Sequence, residues 1–176
     1  MVGCSALTGE GVKEWLEVLK KDIRPGQTIT EVDYGTYAEG EACLGWLNTT
    51  VSLSGEQIDW KSYLDTLLEK IFFRLKGKNQ AIGHIKAMVQ DGDFFVLGNL
   101  TGTGKKPILR GEMKRSNQAV LTFNARAELG KEELANLTKD LLEQVSKEYQ
   151  VKMEIKELNS LIPGRPNPTY RMKQVI

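Results

Sequence analysis

The stretch DWKSYLDTLLEKIFFRLK, residues 59–76, decides the fold of this chain. Apolar residues recur in it at steps of three and four, the spacing of one face of an α-helix. They are Trp60, Leu64, Leu67, Ile71 and Leu75, flanked by Tyr63, Leu68 and Phe72. A stripe this wide predicts a core helix that must pack against another layer of structure.

A second helix of the same kind is predicted from about Lys131 to Tyr149. Glu132 and Glu133 lie in its first turn, where the helix dipole favours negative charge. Its apolar face is formed by Leu134, Leu137, Leu141 and Val145. Strands are indicated by alternating apolar residues or β-branched and aromatic residues. They fall at 46–53, 81–90, 93–100, 107–114, 118–127 and 151–158, and SGEQ at 54–57 is expected to end the first of them.

This order of elements predicts the fold class. The order is a strand, a helix, two or three strands, a second helix and a last strand. The apolar stripes of both helices are buried best when the helices cover one face of a sheet. We therefore expect an α+β fold, a ferredoxin-like sandwich with a mainly antiparallel sheet, two helices on one face and extra strand material. An N-terminal helix and a linker precede it.

The N-terminal helix is predicted within EGVKEWLEVLKKD, residues 10–22, with Thr8 as a candidate N-cap. Val12, Trp15, Leu16 and Leu19 form its apolar stripe. Residues 23–42 have no sustained period and carry Pro-Gly and repeated Gly, which is the composition of a connector. The domain boundary is therefore expected there.

Composition limits the partners. Lys and Arg total 24 against 23 Asp and Glu, a net charge of +1, so no global field favours nucleic acid or an anionic membrane. Cys4 and Cys43 form no recognisable metal or disulfide pattern, and we expect free thiols in a reducing compartment. With no signal region and no long apolar window, a cytoplasmic protein without nucleic-acid or membrane partners is predicted.

Two motifs that suggest chemistry are interpreted as structural. TGTGKK, residues 101–106, has the glycines and lysine of a phosphate-binding loop but the wrong spacing, and a strand pattern follows it, so it is expected to be a hairpin loop. His84 is the only histidine. It is interpreted as a sheet-face imidazole with a hydrogen bond. No catalytic set and no metal cluster is recognisable, and no catalytic residue is assigned.

The C-terminal stretch IPGRPNPTYRM, residues 162–172, has a candidate binding role as well as a structural one. Three prolines would stiffen it, and Arg165, Tyr170 and Arg171 could bind an anion or a partner. A tail that simply packs on the sheet is the alternative.

The N-terminal VGCSALTGEG, residues 2–11, followed by a helix, resembles the last guanine-contacting loop of P-loop GTPases. Together with residues 58–90 and 115–137, it makes nearly the whole chain resemble the C-terminal part of the CobW-type GTPases of cobalamin synthesis and metal delivery. The strand AIGHIKAMV, residues 81–89, departs from the family's Lys-Gly pattern. A divergent branch serving corrinoid methyltransferases would account for that difference.

The resemblance implies a division into 1–24, the closing loop and helix of a truncated GTPase domain, 25–42, a linker, and 43–176, a C-terminal α+β domain. Ser5, Ala6 and Leu7 would be the remnant of the guanine-contacting loop. GTP and Mg²⁺ would belong to the full-length protein and no cofactor to this chain. This chain would be a non-catalytic regulatory or client-binding domain in metal or cobalamin cofactor delivery.

The implied partners are the GTPase domain of the same polypeptide and a metalloprotein or corrinoid-protein client. Self-association into a homo-oligomer stays open. The alternative function is a stand-alone α+β ligand- or peptide-binding module unrelated to GTPases, which would bind a small anion or a peptide strand along a sheet edge.

Overall fold

A computed structural model describes residues 2–21 and 33–164 of the chain. The chain divides into two compact units. Residues 2–21 belong to the first, and residues 34–164 belong to the second.

The first unit contains the helix α1, Val12–Leu19. Its N-cap is Gly11, in the left-handed region with φ 68°, where a Cβ would overlap the carbonyl group of Gly3. Thr8 is therefore not the N-cap that the sequence predicts, although its hydroxyl oxygen accepts a hydrogen bond from the Glu10 N–H. The predicted apolar stripe forms, but its large residues Trp15, Leu16 and Leu19 are 44%, 44% and 60% exposed.

The second unit contains three helices and six strands. No hydrophobic period indicated the first helix, which occupies part of the predicted connector. In chain order the elements are α2 Tyr34–Ala42, β1 Gly45–Ile58, α3 Trp60–Gly77, β2 Ile82–Asp91, β3 Phe94–Leu100, β4 Ile108–Glu112, β5 Ser116–Ala127, α4 Lys131–Glu148 and β6 Lys152–Leu161.

The six strands form one antiparallel sheet in the order β4-β3-β2-β5-β1-β6. The four strands β6-β1-β5-β2, with α3 after β1 and α4 after β5, follow the ferredoxin-like order, in which each helix connects two strands separated by a third. The hairpin β3–β4 is inserted between β2 and β5 and extends the sheet beyond β2. The predicted α+β class and ferredoxin-like architecture are confirmed.

Helices α3 and α4 cover one face of the sheet, as their apolar stripes predicted. Every residue of the α3 stripe is buried, from Trp60 to Leu75, and so is that of α4, from Leu134 to Val145. Inward-facing strand residues complete the core, among them Leu47, Val51, Ile85, Val89, Val96, Leu121 and Phe123. The opposite face of the sheet is not covered by either helix.

The first strand is longer than predicted. SGEQ does not end β1, because the strand continues to Ile58 with a shift of register between Ser54 and Ile58. Gln57 adopts φ 49° there, and its N–H donates to Oδ1 of Asn117 at 2.9 Å. This irregularity allows turn-forming residues to lie inside a strand.

The loop between β3 and β4 contains TGTGKK and leads into a strand rather than a helix, so the prediction of a hairpin loop is confirmed. Among the helices of the described residues, none has the length and apolar content required to cross a membrane.

Candidate functional site

The uncovered face of the sheet carries polar side chains from all six strands, because alternate residues of a strand point to opposite faces. The register of the sheet aligns some of them into rows that run across the strands. One row consists almost entirely of carboxamides. It runs through Asn99 on β3, Lys86 on β2, Asn124 on β5, Asn48 on β1 and Asn159 on β6.

Two contacts show how the asparagines in this row are held. The Nδ2 group of Asn124 donates to Oδ1 of Asn48. Asn99 places its Oδ1 3.3 Å from Nε2 of His84, so the imidazole is a sheet-face group with a hydrogen bond, as the sequence predicted. Since Oδ1 of Asn48 is an acceptor in the first bond, its own Nδ2 group remains available as a donor.

The adjacent row joins a histidine, an arginine and a tryptophan. His84 pairs in register with Arg126, and Arg126 with Trp46. The guanidinium carbon of Arg126 lies 3.7 Å from the centre of the Trp46 ring system, so the two side chains stack. Stacking of this kind holds the planar guanidinium in place while leaving its N–H groups free at the edge of the plane.

These two rows border a shallow groove of about 380 Å³, which we call the open-face groove. Its side chains come from β1, β2 and β5, and the residues that line it are Trp46, Asn48, His84, Lys86, Asn124, Ala125 and Arg126. Lys86, Arg126 and His84 supply basic groups, and no acidic residue lines the groove. Chemically, the groove offers mainly hydrogen-bond donors.

The basic groups of the groove are not neutralised by nearby acids. Five ion pairs form among residues 2–21 and 33–164, and none of them includes Lys86, Arg126 or His84. The next row beyond the asparagine row, on the side away from Trp46, contains Glu157 on β6. The carboxylate of Glu157 accepts a hydrogen bond from Nδ2 of Asn159 at 2.7 Å. The carboxylate therefore already has a partner on its own strand.

A larger depression of about 580 Å³ lies at the other end of the same face. Lys152 lines it together with Asp91 and Glu154, and all of its other lining residues are neutral. Size alone does not make it the better candidate, because its charges are of both signs. The open-face groove is the candidate site because it collects donors without acids.

The predicted guanine-contacting loop forms a tight turn in the first unit. The Ser5 N–H donates to the Glu10 carbonyl oxygen at 2.9 Å, and the Gly9 N–H donates to the Ser5 carbonyl oxygen at 2.9 Å. The Thr8 N–H donates to Oγ of Ser5 at 3.3 Å. For the N–H groups of Ala6 and Leu7, the described part of the chain provides no acceptor.

The structure does not bring the remaining predicted positions into one site. Cys4 and Cys43 are exposed free thiols in different units, and the Cys43 thiol donates to the Glu39 carbonyl oxygen at 3.2 Å. No group of three or more metal-ligating side chains occurs within the residues that the structure describes. Arg165, Tyr170 and Arg171 lie outside those residues.

Sequence reasoning missed most of the groove. His84 was considered alone, and Trp46, Lys86 and Arg126 were not identified as site residues. The alternating pattern of the strands indicates that each of them points away from the core. It does not indicate that they meet, because that depends on the register of three strands that are distant in the sequence.

Comparison of the chain with protein-family models, with curated proteins and with solved structures finds no match.

Proposed function

We propose that residues 34–164 form a non-catalytic binding domain that contacts a client protein through the uncovered sheet face. The observation that carries this proposal is the open-face groove, where three basic side chains and two carboxamides meet on the sheet face opposite α3 and α4. The lining includes one imidazole, His84, which is held by Asn99, but it includes no hydroxyl, thiol or carboxylate group on which that imidazole could act, so binding fits the geometry better than catalysis does.

The parent protein, in this proposal, is a CobW-like GTP-binding protein of metal or cobalamin cofactor delivery. Two features of the first unit support that part. The N–H groups of Ala6 and Leu7 have no acceptor among residues 2–21 and 33–164, and a guanine carbonyl oxygen would supply one, as in the loop that this stretch resembles. The exposed stripe of Trp15, Leu16 and Leu19 on α1 is the kind of surface by which a closing helix packs on the rest of a nucleotide domain.

GTP and Mg²⁺ are not assigned to this chain. Affinity for a nucleoside triphosphate depends mainly on phosphate and metal contacts. The glycine-lysine loop at 101–106 leads into β4 and offers no helix N-terminus for phosphates. Ser5, Ala6 and Leu7 would contact the base only. The GTPase domain of the same polypeptide would hold the phosphates, and the linker would transmit its nucleotide state to the binding domain.

The experiment is a titration with a fluorescent guanine nucleotide and Mg²⁺, made on this chain and on the polypeptide of the full reading frame. We expect the longer protein to bind it and this chain not to. Arg126→Gln is the matched variant in the longer protein and should leave nucleotide affinity unchanged, because the groove lies in the other unit. Tight binding by this chain alone, or a reading frame without a phosphate-binding loop, would overturn the GTPase part of the proposal.

A second candidate function is a stand-alone α+β ligand- or peptide-binding module. One observation favours it: within the residues that the structure describes, the lining of the groove comes from β1, β2 and β5 of a single sheet. A reading frame without GTPase motifs, together with ligand binding in the groove, would select this candidate.

A further inference from the structure

We propose that the open-face groove is an oxyanion site, which recognises a phosphate or carboxylate group through Arg126, Lys86 and the surrounding donors. The inference deepens the proposed function, on which it rests only in taking the groove as a binding surface. It names the chemistry by which a client or ligand is recognised.

The Arg126 guanidinium is held by its face and keeps its donors. Its face is occupied by the Trp46 ring system at 3.7 Å, and no hydrogen bond or ion pair within the described ranges uses its N–H groups. A guanidinium held by its face presents a fixed fork of donors, which matches the two oxygens of a carboxylate or phosphate. The guanidinium is therefore already ordered, and a ligand does not have to fix its conformation on binding.

The residues around Arg126 add a second cation and no acid. His84 is the register partner of Arg126, and Lys86 is that of Asn124. Lys86 and Arg126 are therefore diagonal neighbours, a spacing of about 7–8 Å that long side chains can bridge, and both line the groove. Lys86 and Arg126 are both cationic and no acidic residue lines the groove, so the two charges repel each other and a bound anion would relieve that repulsion.

Trp46 has a hydrogen-bond donor without an acceptor among the described residues. Nε1 of Trp46 is buried, and none of the described residues accepts its hydrogen bond. An unpaired buried N–H is unfavourable, and native structures contain few of them. The other buried indole N–H illustrates the usual situation, since Nε1 of Trp60 donates to Oγ of Ser116 at 2.8 Å. This unpaired donor belongs to a residue that lines the groove, so the groove holds an unmet demand for an acceptor.

The test follows the indole N–H resonances of the full ¹⁵N-labelled chain by NMR during titration with inorganic phosphate and, separately, with succinate. Sodium chloride keeps the ionic strength constant. Trp15, Trp46 and Trp60 are the only tryptophans. Trp46→Phe therefore assigns the groove signal. We expect a saturable shift of the Trp46 signal, with the Trp60 signal unchanged. The stronger of the two ligands identifies phosphate or carboxylate as the recognised group.

Variants separate a built site from general attraction of anions. Arg126→Gln and Lys86→Gln should each weaken binding about tenfold, the usual effect of one charge-assisted contact. Arg126→Lys keeps the charge but loses the fork and should bind with intermediate affinity. The matched control is Lys152→Gln, which removes the same charge from the same sheet face outside the groove and should leave the affinity unchanged. Conserved positions of the other amide signals establish that each variant is folded.

Three results would overturn the inference. Sodium chloride alone could reproduce the shift, Lys152→Gln could weaken binding as much as Lys86→Gln, or the Trp46 and Trp60 signals could shift together. A single-stranded oligouridylate serves as a further probe. If it binds with an affinity that grows with length while phosphate and succinate do not bind, the groove is a nucleic-acid surface instead. None of these results depends on the guanine-nucleotide titration, so the two proposals fail separately.

Discussion

The phenol oxygen of Tyr63 lies 2.9 Å from the hydroxyl oxygen of Ser146, and this hydrogen bond joins α3 to α4 inside the core. Both residues are buried, at 0% and 3% exposure. The ring of Tyr63 also contacts Trp60 and Tyr149 edge to face. The packing of the two helices therefore includes one satisfied polar pair within a cluster of aromatic rings.

Replacing Tyr63 by phenylalanine keeps the ring and removes this hydrogen bond. We expect Tyr63→Phe to lower the free energy of unfolding by about 1 kcal/mol, because the Ser146 hydroxyl loses its partner in a buried position. Urea unfolding followed by circular dichroism measures the change. Ser146→Ala should lower the free energy of unfolding less in the Tyr63→Phe background than in the wild type, because the Ser146 hydroxyl has no partner left to lose. Strictly additive effects would contradict the coupling.

The same tyrosine predicts a loss of stability in alkali. Burial raises the pKa of Tyr63 above its ordinary value of 10.0, against a smaller opposing effect of the Ser146 hydrogen bond. Because the folded state disfavours the phenolate, the stabilisation is complete below pH 10 and is lost as the pH rises through the folded pKa. Urea midpoints between pH 8 and about 11.5 should therefore fall more steeply for the wild type than for Tyr63→Phe. Parallel curves would contradict this assignment.

The sequence was sufficient for the layers of the fold, because the apolar period of α3 and α4 is a local property. Leu64 and Leu141 lie in the core, as their helical spacing within the two apolar stripes indicated. The helix α2 could not be found in this way, since its sequence YGTYAEGEA has no apolar stripe. The extension of β1 to Ile58 was missed because Gly55 and Gln57 occupy an irregular part of a strand and are read as a turn.

The candidate site could not be predicted from the sequence, since it is a property of register. Asn48 and Asn124 are 76 positions apart and form a direct hydrogen bond. A shift of one residue in the pairing of β1 with β5 would turn one of them toward the core. Each of these asparagines alone is typical of an ordinary polar sheet face. Only their alignment beside Arg126 and Lys86 makes a basic groove.

Asp59 predicts a further, local effect at the start of α3. Its carboxylate accepts from the Ser62 N–H at 3.1 Å and from the Ser62 hydroxyl at 3.0 Å, as an N-cap does. We expect Asp59→Ala to lower the free energy of unfolding by about 1 kcal/mol at pH 7 and Asp59→Asn to lower it less, because asparagine keeps an acceptor. Thermal unfolding of the three proteins measures the order. Equal losses in both variants would contradict a capping role.

The charge of Asp59 adds a dependence on acid. The hydrogen bond from the Ser62 N–H lowers the pKa of Asp59 below its ordinary value of 3.8, with help from the Ser62 hydroxyl and Arg115, although partial burial opposes it. A lowered pKa stabilises the fold above pH 3.8, and this contribution is lost as the pH falls through the folded pKa. The advantage of the wild type over Asp59→Asn should therefore shrink between about pH 5 and about pH 2. An advantage that is constant across this range would mean that the carboxylate charge has no part in the cap.

Gly45, at the start of β1, is required for a close approach of two backbone segments. A Cβ at this position would overlap the carbonyl oxygen of Leu129, in the connection between β5 and α4, and backbone cannot rotate away as a side chain can. We expect Gly45→Ala to lower the free energy of unfolding by about 1–3 kcal/mol, the usual cost of overpacking. Gly104→Ala is the control, because a Cβ there meets nothing within 4 Å, and its effect should stay within about 0.5 kcal/mol. Urea midpoints of the two variants measure the contrast, and equal midpoints would show that the segment around Leu129 moves aside without cost.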